Sequence, residues 1–471
     1  MEQILGGIDS VSGLLWGRVL VYVLVGAGVW FTWRTRALQV RHFVHLFSLM
    51  LGSRRGAGGG ISSFQAFCVG LSSRVGTGNI AGVAIALTLG GPGAIFWMWM
   101  TALLGMATAF AEATLAQLFK VPAGDGSFRG GPAYYIATGL GARRWGVTFA
   151  VLLIFTFGIA FNAVQANTIA SVLRDAHTVP VPWSGAVLVL LSAPVLFGGI
   201  RRVARVAEIV LPLMALAYIA LALVIVALHA DRVPGALLLI VQSAFGFGPA
   251  AAGVAGGITA AVLNGVKRGL FSNEAGMGSA PNTAATATVD HPAVQGFVQA
   301  LGVFVDTIVI CTTTALIILV SGVFDPANPG AVAGASMTQS AVAMNFGSAG
   351  QWFMTLIVFA FAFSSVLGNY AYAEVNLDFL GAGGSSLTAF RVVALAAVLA
   401  GSLTALPLVW AIADVAMGLM TLVNIGALVA LSRWVVAALT DYESSLAARR
   451  APLFKAADCP GLPSTPPGFV W

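Results

Sequence analysis

A run of small and polar residues interrupts an otherwise apolar segment at residues 63–90. The members that offer groups to a ligand are Gly76, Thr77, Gly78 and Asn79. Each glycine lowers helix propensity by about 1 kcal/mol, so we expect the helix to break here and to expose backbone amides and carbonyls. Unwound backbone at membrane depth is tolerated where it lines a cavity or contacts protein. The pattern is typical of a binding site in a broken helix, although close packing of small residues would also explain it.

A second run of the same kind covers residues 271–281. Its Gly276 follows Gly76 by 200 residues, and each run opens a set of five predicted spans. Because five is odd, the second set must cross the membrane with the opposite polarity. The sequence therefore predicts two inverted repeats, 63–229 and 255–432.

The two predicted breaks offer complementary groups to a zwitterion such as an amino acid. Amides at the start of a helix favour an anion, so those around Thr77, Gly78 and Asn79 are expected to hold a carboxylate, with Gly76 beside them in the substrate site. Carbonyls freed at the second break would accept hydrogen bonds from an ammonium group. Those expected to do so belong to Phe271, Ser272 and Gly276. Paired in this way, neither charge is left unsatisfied in a dehydrated pocket.

The fourth predicted span carries two amide side chains in an apolar setting. Asn162 and Gln165 stand three residues apart, so they lie on one face of a helix. They are suited to contact a polar substrate. Hydrogen bonding between helices is an equally good explanation from the residues alone.

Two adjacent hydroxyls, Ser364 and Ser365, stand in the ninth predicted span. A hard cation such as Na⁺ takes oxygen ligands, and these hydroxyls could join carbonyls freed near Val75 and Gly76. That set would bind Na⁺ without a carboxylate. Serine also bonds back to its own helix, and the residues alone leave both roles open.

The composition is that of an all-α membrane protein with several spans. Of 471 residues, 58% are hydrophobic and 8% are charged, and the mean hydropathy is +0.92, which excludes an ordinary soluble domain. About eleven transmembrane helices are predicted. They lie at 12–32, 63–90, 94–119, 145–169, 182–200, 206–229, 255–288, 294–321, 350–380, 388–407 and 411–432. Residues 236–254 are also apolar and leave a twelfth span open.

These spans form one predicted domain, 1–440, in which helix 12–32 precedes the two repeats and a cytoplasmic tail, 441–471, follows. Loops on one side of the membrane carry seventeen Lys and Arg residues, whereas the opposite loops carry only Arg174 and Arg232. Lys and Arg accumulate in cytoplasmic loops. We therefore expect a multi-pass protein of the cell (inner) membrane, with its N-terminus outside and its C-terminus in the cytoplasm.

Four stretches closely resemble the alanine or glycine:cation symporter family. They are residues 74–84, 90–99, 105–108 and 271–279, and the similarity extends over about residues 10–440. The resemblance implies eleven helices in the 5+5 inverted-repeat fold of the amino acid–polyamine–cation superfamily. It also implies Na⁺-coupled import of alanine, glycine or similar small neutral amino acids by alternating access.

The resemblance further implies roles for single residues. Gln165 is expected to contact the substrate, and Ser364 and Ser365 match the family's sodium-binding Ser-Thr pair, with serine here in the second position. Asn369 stands where well-studied relatives have tryptophan. We therefore expect a larger and more polar pocket that admits serine or glutamine besides alanine and glycine.

Several charged residues fall within or near predicted spans, where such residues are rare and face the bundle interior. The acidic ones are Glu112, Asp306, Glu374 and Asp414. Each is a candidate for a proton or ion relay, although structural pairing is the more frequent role. Arg74 and Glu274 lie beside the two predicted breaks and are expected to pair or to gate.

The remaining observations exclude other functions. Cys68, Cys311 and Cys459 lack metal-binding spacing, and no motif of a membrane enzyme occurs. The net charge of +6 reflects orientation in the membrane and not nucleic-acid binding. The expected partners are a small neutral amino acid, Na⁺ as coupling ion and membrane lipid, with no other cofactor. A proton-coupled transporter is the main alternative, and a membrane enzyme or a channel is a weaker one.

Overall fold

The computed structural model describes residues 2–53, 61–124, 126–247, 257–326, 328, 334–463 and 469–471. Helices dominate these residues. The sheet found among them is a two-stranded antiparallel ladder, β1 (Val121–Pro122) and β2 (Phe128–Arg129), in which Val121 pairs with Arg129.

The helices of the N-terminal half surround the first predicted break. They are α1 (Leu5–Arg34), α2 (Leu38–Arg41), α3 (Phe43–Gly52), α4 (Ser63–Arg74), α5 (Gly78–Gly90), α6 (Gly93–Leu118), α7 (Pro132–Gly139), α8 (Arg143–His177), α9 (Val181–Leu196), α10 (Gly199–Leu228) and α11 (Val233–Ala244). Ser62 begins α4 with a capping box, because its hydroxyl accepts from the Gln65 N–H while the Gln65 side chain accepts from the Ser62 N–H, both at 3.1 Å.

The helices of the C-terminal half surround the second predicted break. They are α12 (Gly257–Asn273), α13 (Pro281–Ala284), α14 (Pro292–Ser321), α15 (Ala335–Phe379), α16 (Ser385–Leu403), α17 (Leu406–Ala430) and α18 (Ser432–Ala447). Gly347, with φ 59°, interrupts α15. π-Helical turns, which often mark functional sites, occur at Trp16–Leu20, Gly78–Gly82, Thr156–Phe161 and Phe304–Cys311.

Each of the eleven predicted spans corresponds to one helix or to two consecutive helices separated by a break. Within the described ranges, eight helices are long and apolar enough to cross a membrane alone: α1, α6, α8, α10 and α14 to α17. The other three spans are α4 with α5, α9, and α12 with α13. In the undecided segment 236–254, α11 ends at Ala244, and residues 248–254 lie outside the described residues, as do 255 and 256 at the predicted start of the second repeat.

The two broken helices lie side by side at the centre of the bundle. α5 packs against α12, and α4 packs against α13 and α15. Ile61, just before α4, forms a parallel bridge with Ala287, just after α13, through a 3.1 Å bond from the Thr288 N–H to the Ile61 carbonyl. α6 supports this centre from one side and α8 from another, because α12 and α14 pack on α6 while α15 and α16 pack on α8.

The segment after α17 folds back onto the helix ends. α18 contacts α6 and α14. Farther along, the Phe454 N–H donates to the Asp290 carbonyl at 3.0 Å, and Trp471 Nε1 donates to the Gln117 carbonyl at 2.8 Å. Residues 464–468 of this tail lie outside the described residues.

Candidate functional site

The first break separates α4 from α5 at residues 75–77. The Gly76 N–H donates to Asn79 Oδ1 at 2.9 Å, and the Thr77 N–H donates to Gln165 Oε1 at 3.1 Å. Both amides thus point away from their own helix towards polar side chains. A carboxylate could replace either side-chain oxygen as acceptor, which is the chemistry expected of this break.

Gly76 lies directly against Ser365 of α15. A Cβ atom built on Gly76 would overlap the Ser365 hydroxyl and would come within 3.3 Å of Gln165 Oε1. Glycine is therefore required for this close approach. Packing against α15, as well as weak helix propensity, fixes the position of the break.

Ser364 and Ser365 bring their hydroxyls to backbone carbonyls of α4. Ser365 Oγ lies 3.1 Å from the Ser72 carbonyl oxygen and 3.2 Å from that of Ser73. Ser364 Oγ lies 3.4 Å from the Ser72 carbonyl and 3.0 Å from that of Phe361 in its own helix. Four oxygens from two helices therefore converge here, and the carbonyls involved precede Val75 by two or three residues.

Aromatic rings cover the first break on one side. Phe271 stacks on Phe161 with ring centroids 4.4 Å apart, and the ring centroid of Trp410 lies 4.5 Å from that of Phe271. Gly78 faces the same ring, because a Cβ atom built on it would lie 3.0 Å from Phe271 Cδ1. Phe161 and Trp410 were not predicted from the sequence, since aromatic residues are common in membrane spans and carry no positional signal.

Asn79 and Ser272 meet at Asp306. Asn79 Nδ2 lies 3.0 Å from Ser272 Oγ and 2.7 Å from Asp306 Oδ1. Ser272 and Thr307 each donate to Asp306 Oδ2 at 2.7 Å. The two predicted breaks therefore share the buried carboxylate of Asp306. The sequence pointed to Asp306 only as an acidic residue within an apolar span, and not as a partner of the breaks.

Asn369 lies between α4 and α8. Its Nδ2 donates to Asn162 Oδ1 at 3.0 Å, and its Oδ1 accepts from Ser73 Oγ at 2.7 Å. Asn162 and Gln165 thus share one helix face, as the spacing predicts, but contact different partners. The role of Asn369 in setting pocket size stays a prediction, since both ends of its amide hold neighbouring helices in this conformation.

The second break follows Asn273. Glu274 has φ +57°, and Gly276 and Gly278 have φ +90° and +86°, a region that glycine adopts at little cost. The Gly276 carbonyl accepts from Asn424 Nδ2 at 3.0 Å. The structure therefore places Gly276 at Asn424 and apart from the group formed by Gly76, Thr77 and Gln165.

The other acidic residues predicted within or near the spans lie in three different places. Asp414 contacts Arg268 at 2.5 Å and Lys267 at 2.5 Å, and Glu112 accepts from Asn424 Nδ2 at 2.5 Å. Glu374 lines a cavity with Arg129 and Asp378.

The expected pairing of Arg74 with Glu274 is not among the ion pairs of the described residues. Arg74 Nη1 donates to the Gln299 carbonyl at 3.2 Å. Glu274 accepts from Ser73 Oγ at 2.6 Å and from Ser279 Oγ at 2.5 Å. Glu274 therefore connects the two breaks through hydroxyls.

Cavities open at the two ends of α8. A cavity of about 690 Å³ lies at its C-terminal end near Arg174, and one of about 630 Å³ lies at its N-terminal end near Arg143. Between them, the side chains of Thr77, Ser272 and Ser365 are 0% exposed. These residues at the two breaks are therefore closed to solvent in this conformation.

Comparison of sequences identifies the relatives of this chain. The model of the sodium:alanine symporter family matches residues 1–456. The amino-acid carrier protein AlsT of Bacillus subtilis is 45% identical, covering 98% of this chain and 97% of its own. The probable sodium/glutamine symporter GlnT of the same organism is 44% identical, covering 96% and 94%. The sodium/alanine symporter AgcS of Methanococcus maripaludis is 39% identical, covering 91% and 95%.

Solved structures of similar architecture include two transporters. MhsT in complex with L-phenylalanine has a TM-score of 0.56 at 16% identity, covering 80% of this chain and 91% of its own. The Eremococcus coleocola manganese transporter, in complex with an aromatic bis-isothiourea substituted compound, has a TM-score of 0.54 at 14% identity, covering 79% and 78%. These likenesses concern the fold alone, and they confirm the predicted fold class, an all-α bundle of the 5+5 inverted-repeat type.

Proposed function

This chain belongs to the sodium:alanine symporter family, and on that premise we propose that it imports small neutral amino acids together with Na⁺ by alternating access. The family makes it an amino acid symporter of the membrane and not an enzyme. Alanine and glycine are the proposed substrates. Serine and glutamine are further candidates, because GlnT is named a probable sodium/glutamine symporter and Asn369 differs from the tryptophan expected from the family.

One observation carries the proposal of sodium coupling. The hydroxyls of Ser364 and Ser365 meet the carbonyls of Ser72 and Ser73 in a fully buried position. Hydroxyl and carbonyl oxygens suit a hard monovalent cation, which loses its hydration shell on entering such a site. Because these carbonyls lie beside the first break, a cation there stabilises the conformation in which the break is packed against α15.

The proposed substrate site adjoins this cation site. We assign the carboxylate to the break, with Gly76, Thr77, Gly78 and Asn79 as donors and Gln165 beside them. The ammonium group is assigned to the side of Phe271 and Ser272. Asn369 and Gly276 are also proposed to bind the substrate. They are bonded to neighbouring groups in this conformation, so the substrate would contact them only after a local rearrangement.

The decisive experiment is uptake into proteoliposomes of the purified protein. Labelled alanine should accumulate against its gradient when Na⁺ is imposed outside, and should not do so with K⁺. A proton gradient imposed without Na⁺ tests the main alternative, proton coupling. Uptake that depends on the proton gradient and not on Na⁺ would refute sodium coupling. Serine, glycine and glutamine in the same assay define the range of substrates.

The proposed orientation has the N-terminus outside and the C-terminus in the cytoplasm, within one domain of residues 1–440 and a tail of 441–471. Fusion of a cytoplasm-dependent reporter, such as green fluorescent protein, after Trp471 should give fluorescent cells. Alkaline phosphatase at the same point should be inactive. Active phosphatase would reverse the orientation.

A further inference from the structure

Three arginines gather where α1 ends and α2 follows. Arg34 is the last residue of α1, Arg36 lies in the turn between the helices, and Arg41 is the last residue of α2. Together with Trp33 and Glu443 they line a cavity of about 360 Å³, the headgroup cavity. The substrate and Na⁺ sites proposed at the two breaks use none of these residues.

The charge of the headgroup cavity is positive and is centred on two of the arginines. Among its lining residues, Glu443 is the acidic one, and its Oε1 lies 2.8 Å from Arg41 Nη2. No ion pair among the described residues includes Arg34 or Arg36. Arg34 Nε is buried and has no hydrogen-bond partner there. Arg34 and Arg36 therefore remain available to an anion.

Arg41 holds the turn that carries Arg36. Its Nε donates to the Arg36 carbonyl at 2.6 Å, and its Nη2 donates to the Thr35 carbonyl at 2.9 Å. Arg36 and Ala37 have φ +54° and +53°, a conformation that residues other than glycine rarely adopt. These contacts fix the turn, so the cavity is formed without a ligand.

An apolar groove of about 440 Å³, the chain groove, adjoins the headgroup cavity. Val29, Thr32 and Leu104 line it, and Trp33 and Arg36 line both spaces. Trp33 is 67% exposed and Val29 is 52% exposed. Tryptophan is enriched at the level of lipid headgroups, and Trp33 lies at the end of the α1 span. A charged cavity that continues into an apolar groove has the form of a headgroup and an acyl chain.

The helix that follows the turn has an apolar face without a protein partner. Val44, Phe47 and Leu51 of α3 are exposed, and their spacing puts them on one side of the helix. Leu46, on another side, is buried against the bundle. An apolar helix face beside the end of a span is suited to the interfacial layer of a membrane. This position of α3 brings the neighbouring arginines to the level of lipid phosphates.

We propose that the headgroup cavity and the chain groove bind an anionic phospholipid. Its phosphate would contact Arg34 and Arg36, because guanidinium groups form charge-assisted hydrogen bonds with phosphate oxygens. One acyl chain would lie along Val29 and Leu104. Basic pockets at helix ends bind anionic headgroups in this way. A zwitterionic headgroup adds a cation that both arginines would repel, so the ligand has a net negative charge, as phosphatidylglycerol does.

The test is lipid binding to the purified, delipidated protein in a neutral detergent, followed by native mass spectrometry. Phosphatidylglycerol should reach half-saturation at a concentration at least about tenfold lower than phosphatidylcholine with the same acyl chains. The double variant Arg34→Gln/Arg36→Gln should lose this preference. The matched control, Arg449→Gln/Arg450→Gln, removes two exposed arginines just after α18 and should keep it.

A second variant distinguishes a phospholipid from free phosphate. Val29→Trp fills the chain groove and should raise the phosphatidylglycerol concentration for half-saturation at least about fivefold. Val224→Trp makes the same change at an exposed position of α10 and should have no effect. Inorganic phosphate in large excess should not displace the lipid. Displacement by phosphate, with unchanged binding in Val29→Trp, would show a phosphate site and overturn the lipid assignment.

Equal half-saturation by the two lipids in the parent overturns the inference. So does a preference that survives in Arg34→Gln/Arg36→Gln, or one that Arg449→Gln/Arg450→Gln loses to the same extent, since the latter shows attraction to surface charge in general. If Arg34→Gln/Arg36→Gln does not purify as a monodisperse protein, Val29→Trp decides, and unchanged lipid binding in that variant refutes the site. Binding is measured without amino acid or Na⁺, so failure of the proposed transport function would leave this result standing.

Discussion

Ser73 Oγ lies 2.6 Å from Glu274 Oε1, and this contact joins the two broken helices directly. Ser73 belongs to the last turn of α4, and Glu274 is the first residue after α12. The same hydroxyl lies 2.7 Å from Asn369 Oδ1. A hydroxyl has one proton to donate, so Ser73 bonds to one of these acceptors at a time. Because Asn369 belongs to α15, these two contacts connect both breaks to that helix.

Ser73→Ala is expected to uncouple the two breaks. Removal of the hydroxyl takes away the one donor that Glu274 and Asn369 share, and an unsatisfied buried acceptor costs about 1–3 kcal/mol. Alanine uptake should fall at least about tenfold, with normal abundance in the membrane. Ser72→Ala is the matched control, because the hydrogen bond of the Ser72 hydroxyl found among the described residues stays within its own helix, at the Val69 carbonyl. Equal losses in both variants would contradict a specific role of Ser73.

Ser365→Ala tests the cation site proposed at Ser364 and Ser365. The variant loses one hydroxyl oxygen but keeps the carbonyls of Ser72 and Ser73, so Na⁺ should bind more weakly. The Na⁺ concentration for half-maximal uptake should rise at least about tenfold, with little change in the order of preferred amino acids. Ser365→Thr retains the hydroxyl and has the residue that the family resemblance implies, so it should keep the affinity of the parent. Unchanged Na⁺ dependence of Ser365→Ala would remove the site.

Gly78→Leu should abolish uptake and leave the protein in the membrane. A Cβ atom at Gly78 would already lie 3.0 Å from Phe271 Cδ1, and the longer leucine would fill the space beside the amides of the break. Gly82→Ala is the control four residues on, where a Cβ atom would come only within 3.8 Å of Trp410. Normal uptake by Gly78→Leu would favour helix packing as the role of this glycine.

Asn369→Trp should narrow the range of substrates. Tryptophan would occupy space that asparagine leaves, so alanine and glycine uptake should survive while serine or glutamine uptake falls at least about tenfold. Asn162→Ala provides the comparison, since it removes the partner of Asn369 Nδ2 and adds no bulk to the pocket. A parallel loss for all substrates in Asn369→Trp would show that Asn369 only connects helices.

Lys120, just after α6, makes the stability of the tail contact depend on pH. Burial lowers the pKa of Lys120 to about 7 from an ordinary value of 10.5, although the rings of Phe128 and Trp471 lie 4.1 and 4.4 Å from its ammonium group. Between these two pKa values the unfolded chain binds the proton and the folded protein does not, so stability rises with pH across that window.

The measurement is the thermal midpoint in detergent at pH 6.5 and pH 9. The parent should gain stability at the higher pH, and Lys120→Met should lose most of that gain. Lys455→Met, at an exposed lysine of the tail, should behave as the parent does. A parent with no such rise would contradict the assigned titration.

The sequence by itself determined the membrane class, the family, the eleven spans and the positions of both breaks. Hydrophobic runs and glycine clusters are local properties, and the weak helix propensity of Gly76 and Gly78 is enough to predict a break, although packing of Gly76 against Ser365 also fixes its position. The spacing of Asn162 and Gln165 likewise placed both on one face of α8. Family resemblance added the pair Ser364 and Ser365, which the residues alone left undecided.

Only the tertiary structure decided which polar groups meet. Asn79, Ser272 and Asp306 are far apart in the chain and come together because the two repeats pack against each other, a relation that no local pattern contains. The same packing places Gly276 at Asn424, although its sequence equivalent Gly76 lies against Ser365. The two predicted breaks have similar sequences but different neighbours, so their partners follow from the assembled bundle.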